Sequence, residues 1–181
     1  MCVRFAAAEL KHALSERGAK VEPESARSVA VFHIGEPATD DRIRELVDSR
    51  HLSVPSKPES FCIRKMRRLV VIAGRDAVGA MYGGFEAAEQ ILNTPTGANF
   101  LAALKETTQS PYVRIRAVNP FLHVQALADK NSWFYSENFW ESYLGTLARS
   151  RFNLLDLHAT YDLIATSFPN VFPYLIQSEK F

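Results

Sequence analysis

The residues best suited to chemistry gather late in the chain: Arg116, Asn119, His123, Asp156, His158 and Asp162. Asparagine and histidine exchange hydrogen bonds with hydroxyl groups, and an arginine fork pairs with hydroxyl or carboxylate oxygens. Asn119 and His158 fall at or just past the ends of strand-like runs, where parallel βα architectures receive their ligands. The chemistry this suggests is recognition of a hydroxyl-rich ligand such as a sugar. Arg116 and His158 would equally well satisfy backbone groups of a core or loop. Nearby, Trp133, Phe134 and Tyr135 offer ring faces to stack on sugars, whereas Phe139, Trp140 and Tyr143 read as the core face of a helix.

Other chemistries find less support. Ala73–Gly84 runs from a strand through glycine into a helix, the geometry that holds phosphate on free amides. It matches neither GxGxxG nor GxxxxGK[ST], and Asp76, the expected helix cap, would repel phosphate. Nucleotide binding therefore stands only as an alternative. Cys2 and Cys62 form no CxxC motif, and no histidine spacing suggests a metal, so no cofactor is assigned. His33 reads as a hydrogen-bonded core or sheet-face residue rather than a ligand. Glycoside hydrolysis usually needs two flanking carboxyl groups. No such pair stands out, since Glu137 and Glu141 share a solvated helix face, and no catalytic residue is assigned.

Bulk properties narrow the class. The 181 residues carry a net charge of +1, with 47% hydrophobic and 23% charged residues, ordinary values for a globular chain and no signature of a nucleic-acid partner. The basic run Arg64–Arg68 reads as a solvated hairpin turn. No apolar run is long enough to span a bilayer. Met1–Lys11 carries charges where an export signal needs an apolar centre, and no location is assigned.

These groups are positioned by a mixed α/β pattern. Val3–Arg17 reads as an amphipathic helix with Val3, Ala6, Ala7, Leu10, Ala13 and Leu14 inward, stopped by Gly18. Ala19–Glu22 reads as a short edge strand and Ser28–Gly35 as a central strand. Asp40 or Thr39 caps a helix running to about Ser49. Ser60–Lys65 and Arg68–Gly74 form a hairpin, and Asp76 caps a helix over Ala77–Leu92, on which Gly79 and Gly83 share a face close to the sheet. Ala98–Gln109 is a linker or short helix, and Ser110-Pro111 a boundary. Then come a strand at Val113–Val118, a helix capped by Ser136 over Glu137–Arg149, and a strand at Phe152–Leu157: a βαβ unit. Two parallel strands close no barrel, so the chain reads as the front portion of something larger, with an apolar strand edge left unpaired.

Glu59-Ser-Phe-Cys-Ile63, Leu69–Gly74 and Gly79–Leu92 resemble the small α/β domain preceding the catalytic barrel in family 20 glycoside hydrolases, the β-N-acetylhexosaminidases. The family 67 α-glucuronidases carry a similar domain. Ser110–Arg116 resembles the start of the barrel in both families. Arg116-Ala-Val-Asn119 is similar to the R-x-L-N of the α-glucuronidases, and Arg151-Phe-Asn-Leu-Leu-Asp-Leu-His158 to the second-strand K-L-N-x-x-x-x-H of the hexosaminidases. Ala117 stands where family 20 has glycine, and Tyr161 replaces the first acidic residue of the loop holding Asp162.

The resemblance implies a small α+β sandwich, a hexosaminidase-like accessory domain, over residues 1–109. Over 110–181 it implies the first βαβ of an incomplete (β/α)8 barrel. Arg116, Asn119, His158 and Asp162 would then bind substrate, with the catalytic acidic pair on a later strand. The expected function is the N-terminal part of a glycoside hydrolase acting on acetamido-sugar or uronic-acid glycans, inactive by itself. Its partner would be a carbohydrate held by the full-length barrel, with no nucleic acid, membrane or cofactor involved and no oligomeric state assigned. The alternative from another class is a non-catalytic α/β interaction module.

Overall fold

A computed structural model describes residues 1–122, 129–156 and 158–159. The chain divides into two compact units, Met1–Tyr112 and Val113–Phe181.

The first unit is built on four strands: β1 (Val31–Gly35), β2 (Phe61–Met66), β3 (Leu69–Gly74) and β4 (Thr107–Gln109). Their order is β1-β3-β2-β4, with β1 parallel to β3 and the remaining pairs antiparallel. β3 is central, and Val70–Gly74 are all buried. That burial is why its run of apolar residues is continuous rather than alternating. Of the basic run Arg64–Arg68, Arg64 to Met66 belong to β2 and only Arg67-Arg68 form the hairpin turn, with Arg67 in the left-handed region at φ 52°.

Both faces of this sheet are covered. The register sets Phe61, Ile63, Val70 and Ile72 on one face and Cys62, Val71 and Ala73 on the other. Helix α3 (Ala77–Leu92) lies on the first face, and helix α1 (Cys2–Glu16) packs on α3. Phe5 and Phe85 meet there edge-on at 5.2 Å. Helix α2 (Asp41–Asp48) covers the second face with Ile43, joined by Leu52. Cys62 sits in that core, where burial raises its thiol pKa above the ordinary value.

Glycine sets how near α3 comes to the sheet. A Cβ on Gly79 would lie 2.2 Å from the Ser60 carbonyl oxygen, and one on Gly83 would lie 2.7 Å from Ile72 Cγ2. Asp76 holds the helix in place. Its Oδ1 accepts from the Gly79 amide at 2.8 Å, and its Oδ2 accepts from the Glu59 amide at 2.9 Å.

Several expectations are corrected. Ala7 is exposed, because α3 covers only the stripe of Ala6, Leu10, Ala13 and Leu14. Ala19–Glu22 forms no strand: Val21, its one large apolar residue, is 37% exposed and has no buried face to gain by pairing. The strand expected over Ser28–Gly35 begins at Val31, and it is an edge strand rather than a central one. Within Ala98–Gln109, the short helix α4 (Phe100–Ala103) is followed by β4, a strand not anticipated. Thr107-Thr-Gln carries no apolar signal. Hydrogen bonds hold it instead: the β2 ladder, Arg64 Nη2 to Thr108 Oγ1 at 2.8 Å, and Gln90 Nε2 to Thr107 Oγ1 at 3.1 Å.

In the second unit the regular strands are shorter than expected. β5 is Ala117–Val118, β6 is Phe121–Leu122, β7 is Leu154–Leu155 and β8 is His158–Ala159. β5 pairs with β7 and β6 with β8, both in parallel, as the βαβ pattern required. Between them lies helix α5 (Glu137–Arg149), capped by the Ser136 hydroxyl, which accepts from the Phe139 amide at 3.2 Å. No residue of α5 is fully buried. The sheet-covering core expected of Phe139, Trp140 and Tyr143 is instead an aromatic cluster, in which Trp133 lies 4.8 Å from Phe139.

Replacing Gly79 with alanine forces a methyl group against backbone that cannot yield cheaply. The expected loss is about 2 kcal/mol for the first unit, because overpacking outweighs the roughly 1 kcal/mol gained in helix propensity. Urea unfolding followed by circular dichroism checks this.

Candidate functional site

The candidate site rests on one parallel ladder. Ala117 faces Leu154 and Val118 faces Leu155. The same offset pairs Phe121 with His158 and Leu122 with Ala159. The interruption falls at Pro120, which has no amide hydrogen to give to a ladder. β5 and β6 are thus two stretches of one pairing.

Polar side chains flank the apolar part of β5–β7. On the side where the strands begin, the Arg116 amide donates to Asn153 Oδ1 at 2.9 Å. On the side where β5 and β7 end, Asn119 Nδ2 donates to Asp156 Oδ2 at 2.7 Å. Both pairs are 37 residues apart, the offset of the ladder itself. The Asp156 amide also donates to the Val118 carbonyl at 2.9 Å. Asn119 and Asp156 are exposed, so an approaching ligand meets a carboxamide and a carboxylate side by side.

Each expected site residue has a definite place. Asn119 directly follows β5, in company with Asp156. Arg116 lies at the other end of the strand, and its guanidinium serves backbone: Nε donates to the Arg151 carbonyl at 2.6 Å and Nη1 to the Val113 carbonyl at 2.8 Å. The structure therefore does not gather Arg116 with Asn119. His158 lies within β8 rather than just past a strand, opposite Phe121. His123, Leu157, Asp162, Phe168, Phe172 and Tyr174 lie outside the described residues. Sequence reasoning placed Asn153 in the stretch matched to K-L-N-x-x-x-x-H but gave it no role of its own. Its signal was a polar carboxamide directly ahead of the Leu154-Leu155 pair.

In the aromatic segment, Trp133–Tyr135 forms a 3-10 turn. Phe134 is buried, and its carbonyl accepts from Trp140 Nε1 at 2.6 Å. Trp133 and Tyr135 keep 39% and 40% of their surface, enough to present a ring face.

Elsewhere the structure assigns local roles. Asp76 fills the amino terminus of α3 with its own carboxylate, so phosphate would meet a negative charge there, and the nucleotide reading loses its site. Arg64 reaches Thr108, and Arg68 holds the Ala26 and Ser28 carbonyls, which ties part of the basic run to the fold. Glu137 and Glu141 are exposed on α5. Among the described residues, no group of His, Cys, Asp and Glu could hold a metal ion, and no helix is long and apolar enough to cross a membrane.

His33 is hydrogen-bonded on the sheet face shared with α2. Its Nε2 lies 2.9 Å from Asp40 Oδ2, while Asp40 Oδ1 accepts from the Ile43 amide at 3.0 Å and caps α2. Burial pushes the Asp40 carboxyl upward. The His33 hydrogen bond, the Ile43 amide and the charge of His33 outweigh it and leave Asp40 below its ordinary value.

No protein-family model and no curated protein matches the chain. Solved structures do. One is a GH138 enzyme targeting pectin rhamnogalacturonan II: TM-score 0.61, 21% identity, over 87% of this chain and 18% of that one. Another is a family GH115 4-O-methyl-α-glucuronidase with specificity for decorated arabinogalactans: TM-score 0.60, 17% identity, over 88% of this chain and 24% of that one. The chain thus has a glycoside-hydrolase-like α/β fold and spans less than a quarter of either enzyme's length. These two are enzymes of families 138 and 115 rather than of families 20 and 67.

Because the pKa of Asp40 is depressed in the folded state, its contribution to stability is complete above the unfolded carboxyl value, near 3.8, and is lost as pH falls through the lower folded value. Asp40→Asn keeps a capping oxygen and removes the charge. Thermal melts from pH 2 to 6 should show the variant less stable than the parent at pH 6, with the gap closing below about pH 4.

Proposed function

We propose that the chain is part of a carbohydrate-active glycoside hydrolase, with the first unit as an accessory α/β domain. The second unit supplies the first βα units of a (β/α)8 barrel acting on acetamido-sugar or uronic-acid glycans. The observation that carries this reading is the exposed Asn119–Asp156 pair, set after β5 and β7 of a parallel βαβ unit, in a chain whose fold is shared with glycoside hydrolases.

The pair suits the task. A carboxylate is an acceptor with several lone pairs, and a carboxamide is both donor and acceptor. The 2.7 Å bond from Asn119 fixes the Asp156 carboxylate, leaving both groups lone-pair capacity for neighbouring sugar hydroxyls. Trp133 or Tyr135 adds a ring face for stacking. In this proposal His158 and Asp162 complete the sugar face, as the family resemblance implies. Arg116 contributes by holding the strands, since its guanidinium is bonded to two backbone carbonyls. The catalytic carboxyl pair is assigned to a later barrel strand, so these 181 residues bind without hydrolysing.

The non-catalytic module remains the second reading, favoured by the closed two-sided core of the first unit. Two measurements test the proposal. Chromogenic N-acetylhexosaminides and glucuronides should turn over at the buffer rate with the 181-residue chain, and robust hydrolysis would refute the inactivity. Titration with glucuronic acid and N-acetylglucosamine should shift the Asn119 side-chain amide signals with dissociation constants of about 1 mM or weaker, and Asn119→Ala should abolish the response. If Asn119 does not respond to either sugar, the module reading stands.

A further inference from the structure

We infer that Asn153 sets the register of the parallel strand pair and is thereby the positioning residue that places Asn119 against Asp156. The need arises from how the strands are joined. β2 and β3 are linked by a two-residue turn that pins their register. β5 and β7 are joined by a crossover containing α5, which pins nothing at that scale. Among the described residues burial does not choose the register: Ala117 is exposed, Leu154 keeps 47% of its surface, and Val118 and Leu155 are half-buried. Where both faces of a strand are accessible, a shift of one residue costs little. Such a shift would carry Asn119 away from Asp156.

The Asn153 side chain supplies the missing specification. Its Oδ1 accepts from the Arg116 amide at 2.9 Å, and its Nδ2 donates to the Arg114 carbonyl at 2.8 Å. A residue in a parallel ladder bonds its partner strand in this way, accepting from one residue and donating to the residue two before it. The carboxamide thus acts as a substitute peptide group and extends the ladder backwards past its regular start. Meanwhile the Asn153 amide donates to the Arg116 carbonyl at 3.0 Å. One residue therefore holds the opposite strand at three points, and a shift of one residue, which turns the facing backbone groups away, breaks all three. Arg116 adds a brace from its guanidinium to the Arg151 carbonyl. Arg151 is itself in the left-handed region at φ 63°, at the turn leading out of α5.

The functional consequence rests on the reading of Asn119 and Asp156 as sugar-facing, but the register claim is tested without sugar, so either can fail alone. Cysteine pairs report register directly. In a background with Cys2→Ser and Cys62→Ala, Ala117→Cys is combined with Leu154→Cys to trap the observed pairing, or with Leu155→Cys to trap a one-residue shift. Under a glutathione buffer the first disulfide should dominate by about tenfold or more, the worth of one or two hydrogen bonds. With Asn153→Ala added, the preference should fall to about threefold or less. Asn153→Asp, which keeps the acceptor and loses the donor, should give an intermediate value. A preference unchanged by Asn153→Ala overturns the assignment. So does loss of both disulfides, because Asn153 would then hold the strands together without choosing their register. In the single variant Asn153→Ala, the Asp156 amide should exchange about tenfold faster while Ile72 is unaffected, and unaltered exchange at Asp156 also counts against the assignment.

Discussion

The first unit depends on how closely helix α3 can lie against the sheet, and one carboxylate governs that approach. Asp76 binds the Gly79 amide with one oxygen and the Glu59 amide with the other. The start of the helix is thereby tied to the chain entering β2. Gly79 then passes so near the Ser60 carbonyl that no side chain fits between them. The same approach buries Phe61, Ile63 and Ile72 beneath the helix. α1 exploits it a second time, laying Ala6 against Gly84. The opposite face, under α2, is organised by an equivalent device, with Asp40 capping the helix and holding His33.

The second unit solves a different problem. Among its described residues the parallel strands are only partly buried, and polar side chains tie them at both ends. Asn153 and Arg116 tie the strands where they begin, and Asn119 with Asp156 ties them where β5 and β7 end. The last of these ties is exposed and lies on the side where parallel strands deliver their loops, which is why the proposal of a sugar-facing surface rests on it. Both ends of the pair thus use the same kind of contact, a side-chain amide or carboxylate serving as an extra rung of the ladder.

Much of this was readable from local chemistry. The caps at Asp40, Asp76 and Ser136, the hairpin at Arg67-Arg68 and the limits of α5 each depend on a few neighbouring residues, and each stands as expected. The parallel relation of the two late strands was also legible, because a helix between two apolar runs leaves few other topologies. β4 was not legible. Thr107-Thr-Gln has no pattern of its own, and becomes a strand only because β2 offers an unpaired edge beside Arg64.

The candidate site divides along the same line. Residue types alone marked Asn119, His158 and Arg116 as able to bind hydroxyls and put Asp156 only in the wider candidate set, because hydrogen-bonding capacity belongs to the side chain wherever it lies. Which of them stand together was decided by the register of two strands 37 residues apart. That register sends Arg116 to the beginning of the ladder and Asn119 to Asp156 beyond the end of β5. Pairing across such a separation depends on contacts between segments that carry no local sign of each other, so it exists only once the chain has folded.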